Sequence, residues 1–189
     1  MRIWDCVLGI KSIRRRLIFH LKQFFYPELE FEMPVGKGLT ATLPYHDSFD
    51  SFSEIFLNGE YKEVLEGFDL PNKWLDFGCH MGFFSLWIER ERRLAVKKCH
   101  SNAVLIDGDI RALSGITSLL QRNQLKEQWY FLHGAVADDR EHVSFYQYEY
   151  MASNALKESE VTPVSVPVVK IIIIVHQFIN LRCQNLVIY

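Results

Sequence analysis

Along this chain, short apolar runs of strand length alternate with segments whose apolar positions recur every three or four residues. From Met1 to Tyr26, Ile3, Trp4, Val7, Leu8, Ile10, Ile13, Leu17, Ile18 and Leu21 are interleaved with Lys11, Arg14, Arg15, Arg16 and Lys22. That pattern predicts a basic amphipathic helix, ended by Pro27. Pro34 to Thr42 reads as a loop or hairpin, and His46 to Phe52 as a polar, turn-rich stretch. Phe56, Tyr61 and Leu65 mark a short helix. Lys73 to Phe77 predicts a first core strand and Ala103 to Ile106 a second. Between them, a helix over Phe83 to Arg93 turns Phe83, Phe84, Leu86, Trp87 and Ile88 to the sheet and ends in a solvated charge run from Glu89. A second helix has Leu113, Ile116, Leu119 and Leu120 as its core face, with Asp109 as cap and Asn123 as stop. Trp129 to Leu132 is a third strand. Val143, Phe145 and Gln147 suggest a hairpin strand, and Pro163 and Pro167 confine Val164 to Val169 to an edge strand or an extended connection. Ile171 to Val175 is an unbroken β-branched run with no period, so strand and helix both stay open.

Candidate chemistry sits between the first strand and its helix, in WLDFGCHMGFFSLWI from Trp74 to Ile88. The strand ends in an acid, Asp76. The loop Gly78-Cys79-His80-Met81-Gly82 then leads into a helix N-terminus, where backbone N–H groups are free. Gly78 suits a positive φ, and Gly82 allows backbone and ligand to approach closely. The spacing is G-x-x-x-G and not G-x-G-x-x-G, which argues against a pyrophosphate cradle. Asp107 follows Asp76 by 31 positions, about one β-α-β unit, where nucleotide-binding α/β folds hold a ribose hydroxyl pair. Singly, Asp76 reads as a turn residue and Asp107-Gly108-Asp109 as a turn with a cap. Together they point to a nucleoside site.

The series of motifs resembles the FkbM-type class I S-adenosylmethionine-dependent methyltransferases. SEIFLNGEYKEVL (Ser53 to Leu65) is similar to the segment before that family's first core strand, and LDFGCHMGFFS (Leu75 to Ser85) to its D-x-G-x-x-x-G cofactor loop. VLIDGD (Val104 to Asp109) stands where the family shows Glu-Pro. LLQRNQL (Leu119 to Leu125), HGAVADD (His133 to Asp139), ASNAL (Ala152 to Leu156) and VPVVK (Val166 to Lys170) follow in the family's order. The resemblance covers Ser53 to Lys170. It implies an α/β fold, a Rossmann-like class I methyltransferase sheet with flanking helices. It also implies two segments: residues 1–52 as amphipathic helix and lead-in, and residues 53–189 as the N-terminal portion of the methyltransferase domain.

S-adenosylmethionine is the implied cofactor, held by Asp76, Gly78, Cys79, His80, Met81, Gly82, Asp107, Gly108 and Ala135. The acceptor would be a hydroxyl on a small molecule, sugar or glycan. Ser153 and Asn154 match a polar spot near the family's acceptor pocket. Asn185 to Tyr189 looks like the start of the fourth core strand, beside the first, so the sheet is expected to be incomplete and activity low. The family's D-x-E-G-type motif has no counterpart, and no catalytic residue is assigned. Two other classes stay open: a non-catalytic remnant that binds a nucleoside or a partner, and a nicotinamide-dependent oxidoreductase.

Composition narrows the field further. With 49% hydrophobic and 23% charged residues the chain can bury a core, so disorder is not expected. A net charge of −2 argues against a general nucleic-acid binder. Four cysteines without a C-x-x-C pair describe no disulfide scaffold, and cytoplasm is the default compartment. Cys79-His80 and Cys99-His100 lack the spacing of a zinc site, so no metal is expected. His133, ending the third strand, is read as a satisfied or solvent-facing histidine before a ligand contact. The basic N-terminal helix is expected to pack on its own domain, with peripheral membrane contact through residues 1–26 as the alternative.

Overall fold

The computed structural model describes residues 31–44, 48–64, 69–96, 100–137, 141–148, 163–169 and 186–188, with Ile13, Leu17, Ile18, His20, Leu21 and Phe24. The run Ile171 to Val175, Ser153, Asn154 and Cys99 lie outside them. After the helical positions Ile13, Leu17, Ile18, His20, Leu21 and Phe24 comes an antiparallel hairpin, β1 (Phe31–Gly36) and β2 (Leu39–Leu43). Alternation buries Phe31, Met33 and Val35 on one face and exposes Glu32 and Pro34. A short helix α1 (Ser48–Phe52) runs into a π-helical turn (Ser53–Asn58) and then α2 (Glu60–Val64).

The predicted turn-rich stretch before Ser53 is therefore corrected to a helix from Ser48, because Phe49 and Phe52 bury their rings against one another and Phe52 meets Phe83. Packing outweighs the polar composition here. Nor is residue 52 a packing boundary. The hairpin, Phe49 and Phe52 belong to the same core as the central sheet.

That sheet is parallel, in the order β5 (Trp129–His133), β4 (Asn102–Asp107), β3 (Lys73–Phe77), β8 (Leu186–Ile188). The fourth strand sits beside the first, as the terminal residues suggested. Helices α3 (Phe83–Leu94) and α4 (Ala112–Arg122) are the connections between the first three strands. The strands β3 and β4 are covered on both faces, whereas β5 leaves Tyr130 and Leu132 exposed. Trp74, Ala103, Leu105 and Trp129 meet α3, α4 and the hairpin, while Leu75, Val104 and Ile106 lie on the other face with Val136 and Val169. A separate antiparallel pair, β6 (His142–Tyr146) and β7 (Pro163–Pro167), places its two prolines at the ends of β7, where the missing N–H groups cost least. Among the described residues no helix is long and apolar enough to cross a membrane.

One row of the sheet sets the register. Trp74, Ala103 and Trp129 are paired neighbours across three strands. The small Ala103 lets the two indoles meet edge to face, centroids 5.2 Å apart. Each buried indole N–H finds a hydroxyl: Trp74 donates to Ser85 at 2.8 Å and Trp129 to Ser101 at 3.1 Å.

Two expectations for the helices change. Leu113 is exposed, and Ala112 and Gly115 join Ile116, Leu119 and Leu120 on the buried face. The charge run after Ile88 is not wholly solvated: Glu89 and Arg92 are buried. Arg92 donates to the carbonyl of Pro71 and to Asn72 Oδ1 at 2.6 Å, so it clamps the turn that feeds β3. Glu89 lies 3.4 Å from Arg92 and 2.8 Å from Arg93. Asn123 ends α4 as predicted. It also pairs with Thr40 of β2, donating to its carbonyl and accepting from its N–H, both at 2.8 Å.

Replacing Ala103 with leucine forces the two indoles apart in a filled core. Overpacking of this kind is expected to cost roughly 3 kcal/mol. The check is the denaturation midpoint, which should fall at unchanged m value, with the near-ultraviolet exciton signal of the indole pair lost.

Candidate functional site

The C-terminal ends of β3, β4 and β5 open onto one edge of the sheet. The chain runs from β3 to β4 on one side and returns to β8 on the other, so the space beyond β3 is a switch point of the topology. In open α/β sheets ligands bind at such crevices. The loop after β3 turns sharply there: Gly78, His80 and Gly82 have φ of +68°, +50° and +72°. The N–H groups of Gly78 and Cys79 both donate to the Ile106 carbonyl, at 2.9 and 3.2 Å. The Gly82 N–H closes back on Cys79 at 2.7 Å, and α3 starts immediately after.

The predicted loop residues divide by what lies around them. Cys79 and Met81 send their side chains into the core, so a ligand would meet their backbone alone. Burial pushes the Cys79 thiol well above the ordinary thiol range, and the charges of Asp76 and Asp107 add to this. At Gly78 a Cβ would meet nothing within 4 Å, which leaves open space above the turn. At Gly82 a Cβ would come within 2.9 Å of Leu105 Cδ2, so the close approach this glycine permits is to β4 and not to a ligand on that side. Gly108 is similar: its Cβ position would lie 2.7 Å from the Phe145 ring. Ala135 is buried, its N–H donating to Pro167 at 3.0 Å and its carbonyl accepting from Val169 at 2.9 Å. Its backbone groups stitch β5 to the segment after β7.

The two acids hold the site from beneath. Asp76 is buried and accepts from the Ser85 hydroxyl at 2.6 Å. Burial raises its pKa to about 6, the Ser85 hydrogen bond opposes the rise, and the Asp107 charge adds to it. Asp107 ties two loops together. One oxygen accepts the His80 N–H at 2.7 Å and the other the Asp109 N–H at 2.8 Å. Its pKa is raised by burial, against the lowering effect of those two bonds. Each oxygen keeps a second lone pair for a ligand hydroxyl.

Three further groups stand near the site, of which Asp109 and Tyr61 were not singled out from the sequence as site residues and His133 was weighed as one. Asp109 is buried and paired with Arg111 at 2.6 Å, while its Oδ1 accepts from the Arg111 N–H at 2.9 Å and from Gln147 at 3.1 Å. It thus caps the turn into α4, as predicted, and also draws the end of β6 over the β4 tip. Tyr61 lies against Phe84 with centroids 4.7 Å apart, and its hydroxyl pKa is raised by burial and then by the charge of Asp76. His133 Nε2 lies 3.1 Å from the Gly108 carbonyl; an oxygen there can only accept, so this nitrogen carries the proton. It is a satisfied histidine. Among the described residues no group of His, Cys, Asp and Glu converges as a metal site. Compared with known proteins, the chain matches no family model and no characterised relative.

Two outcomes follow from this geometry. The folded state holds the Asp76 proton more tightly than the unfolded chain does, so the contribution of this group to stability is fully present below about pH 4 and is lost as pH rises through about 6. Asp76→Asn removes that loss, and the variant is expected to be about 2–3 kcal/mol more stable than the parent at pH 8 but not at pH 4, by denaturant titration at each pH. At the glycines, Gly78→Ala should cost about 1–2 kcal/mol for its left-handed φ alone. Gly82→Ala adds the collision with Leu105 and should cost clearly more in the same assay.

Proposed function

We propose that this chain is a Rossmann-like class I methyltransferase of FkbM type that binds S-adenosylmethionine and methylates a hydroxyl of a sugar, glycan or other small molecule. One observation carries the reading. A buried acid, Asp76, lies under an open left-handed turn at Gly78, and a second acid, Asp107, stands at the neighbouring strand tip. A buried carboxylate raised to about pH 6 is suited to a cationic ligand, whose charge would pull its proton off. The ligand's hydroxyl donors would take the second lone pairs of Asp107, and its carboxylate and polar edges the backbone of Gly78 to Met81.

The cofactor supplies an activated sulfonium methyl. The chain's share is then to hold methyl and acceptor oxygen in line and to exclude water, which is catalysis by proximity and orientation. Asp76 and the loop fix the cofactor end of that line. A second reading uses the same residues without turnover. It draws support from Asp107, whose two oxygens already serve the backbone N–H groups of His80 and Asp109, a purely structural task.

Calorimetric titration of S-adenosylhomocysteine and, separately, NAD tests the binding. S-adenosylhomocysteine should bind and NAD should not. Affinity should rise about tenfold per pH unit below pH 6 and level off above it, because the ligand's ammonium selects the ionised Asp76. Asp76→Asn should flatten this dependence, and Asp107→Ala should weaken binding about tenfold or more. Preferential binding of NAD, or S-adenosylhomocysteine affinity unchanged by both substitutions, would overturn the assignment. Transfer of labelled methyl to a glycan pool separates the enzyme from the binder.

A further inference from the structure

The N-terminal helical positions present an apolar surface to solvent. Ile13, Leu17, Ile18 and Leu21 are 39–50% exposed, and Phe24 is 82% exposed. At helical spacing these five fall within about 140° of arc, a single flank. The helix does touch the folded domain, where the His20 ring meets Phe49 at 5.9 Å. That contact leaves roughly half of each aliphatic side chain open to solvent. At Ile13, Leu17, Ile18, Leu21 and Phe24 an apolar flank thus remains open to solvent beside the contact with the domain.

Charge says what covers them. Residues 1–26 hold Arg2, Lys11, Arg14, Arg15, Arg16 and Lys22 against Asp5, a net +5. The whole chain is −2, so residues 27–189 carry −7. A broad aliphatic flank interleaved with cations suits a surface that is apolar within and anionic at its face. An anionic bilayer offers both, and needs no matching groove. A second copy of the same helix would bring like charges together.

We propose that this helix is a peripheral anchor that lies in the interface of membranes bearing anionic lipids. Ile13, Leu17, Ile18, Leu21 and Phe24 enter the acyl boundary, and the net +5 of residues 1–26 supplies the attraction to anionic headgroups. The net −7 of the remaining chain is repelled from the same surface, so attachment runs through the helix alone.

Sedimentation of the full chain with vesicles tests this. Binding is expected to vesicles of phosphatidylcholine with 30% phosphatidylserine, roughly, and to be weak on phosphatidylcholine alone. Replacing Arg14, Arg15 and Arg16 with glutamine should lower partitioning on the order of 100-fold, and raising salt should act in the same direction. Leu17→Glu with Leu21→Glu should abolish binding while the melting of the domain stays unchanged, since both residues are exposed. Equal binding to neutral and anionic vesicles would overturn the proposal. So would binding that survives the paired glutamates, or a dimer that those glutamates dissociate in a chain that binds no vesicle.

Discussion

The arrangement depends first on the row Trp74, Ala103, Trp129. Two large indoles and one methyl group in register across three parallel strands can be filled in one way only. A slip of one residue would move both indoles to the opposite face, where Leu75, Val104 and Ile106 already pack. With the register held, the strand tips align, and Asp76 and Asp107 arrive at the same edge. Ser85 joins the two levels, because the hydroxyl that accepts from Trp74 in the core donates to Asp76 at the site.

At that edge, the loops are held by a carboxylate as well as by their own backbone hydrogen bonds. Asp107 reaches across from β4 to the His80 N–H and forward to the Asp109 N–H. His80 sits at φ +50°, a conformation a non-glycine residue adopts at some cost. The Asp107 contact is what compensates it. Asp109 repeats the device one step further on, gathering Arg111 and Gln147. The edge thus carries two acids of raised proton affinity, the half-buried Asp107 joining loops and the buried Asp76 bound to Ser85.

Much of this was legible from residue order. The strands from Lys73, Ala103 and Trp129 and the helix from Phe83 follow from apolar runs of the right length and spacing, which tertiary context had no reason to override. The pairing of the terminal strand with β3 followed from the strand order of the family that the motifs resemble. What was not legible rests on partners distant in sequence. Nothing local distinguishes Arg92 from Arg90, yet Arg92 is buried because the Pro71 carbonyl and Asn72 await it. Gly82 and Gly108 look like ligand glycines until Leu105 and Phe145 are seen beside them. Tyr61 reads as a helix marker, and only the fold carries it toward Asp76. The helix at Ser48 was missed because two aromatic rings among polar residues carry no helical period.

The hydroxyl of Ser85 has an optical consequence. Trp74 is fully buried, and its indole N–H ends on the oxygen that also donates to Asp76. Ionisation of Asp76 places a negative charge two bonds of hydrogen from a fluorophore whose emission responds to local field. Charging of the acid under the Gly78 turn would therefore act on the indole emission with no label introduced, the Trp74 share being read against that of Trp4, Trp87 and Trp129.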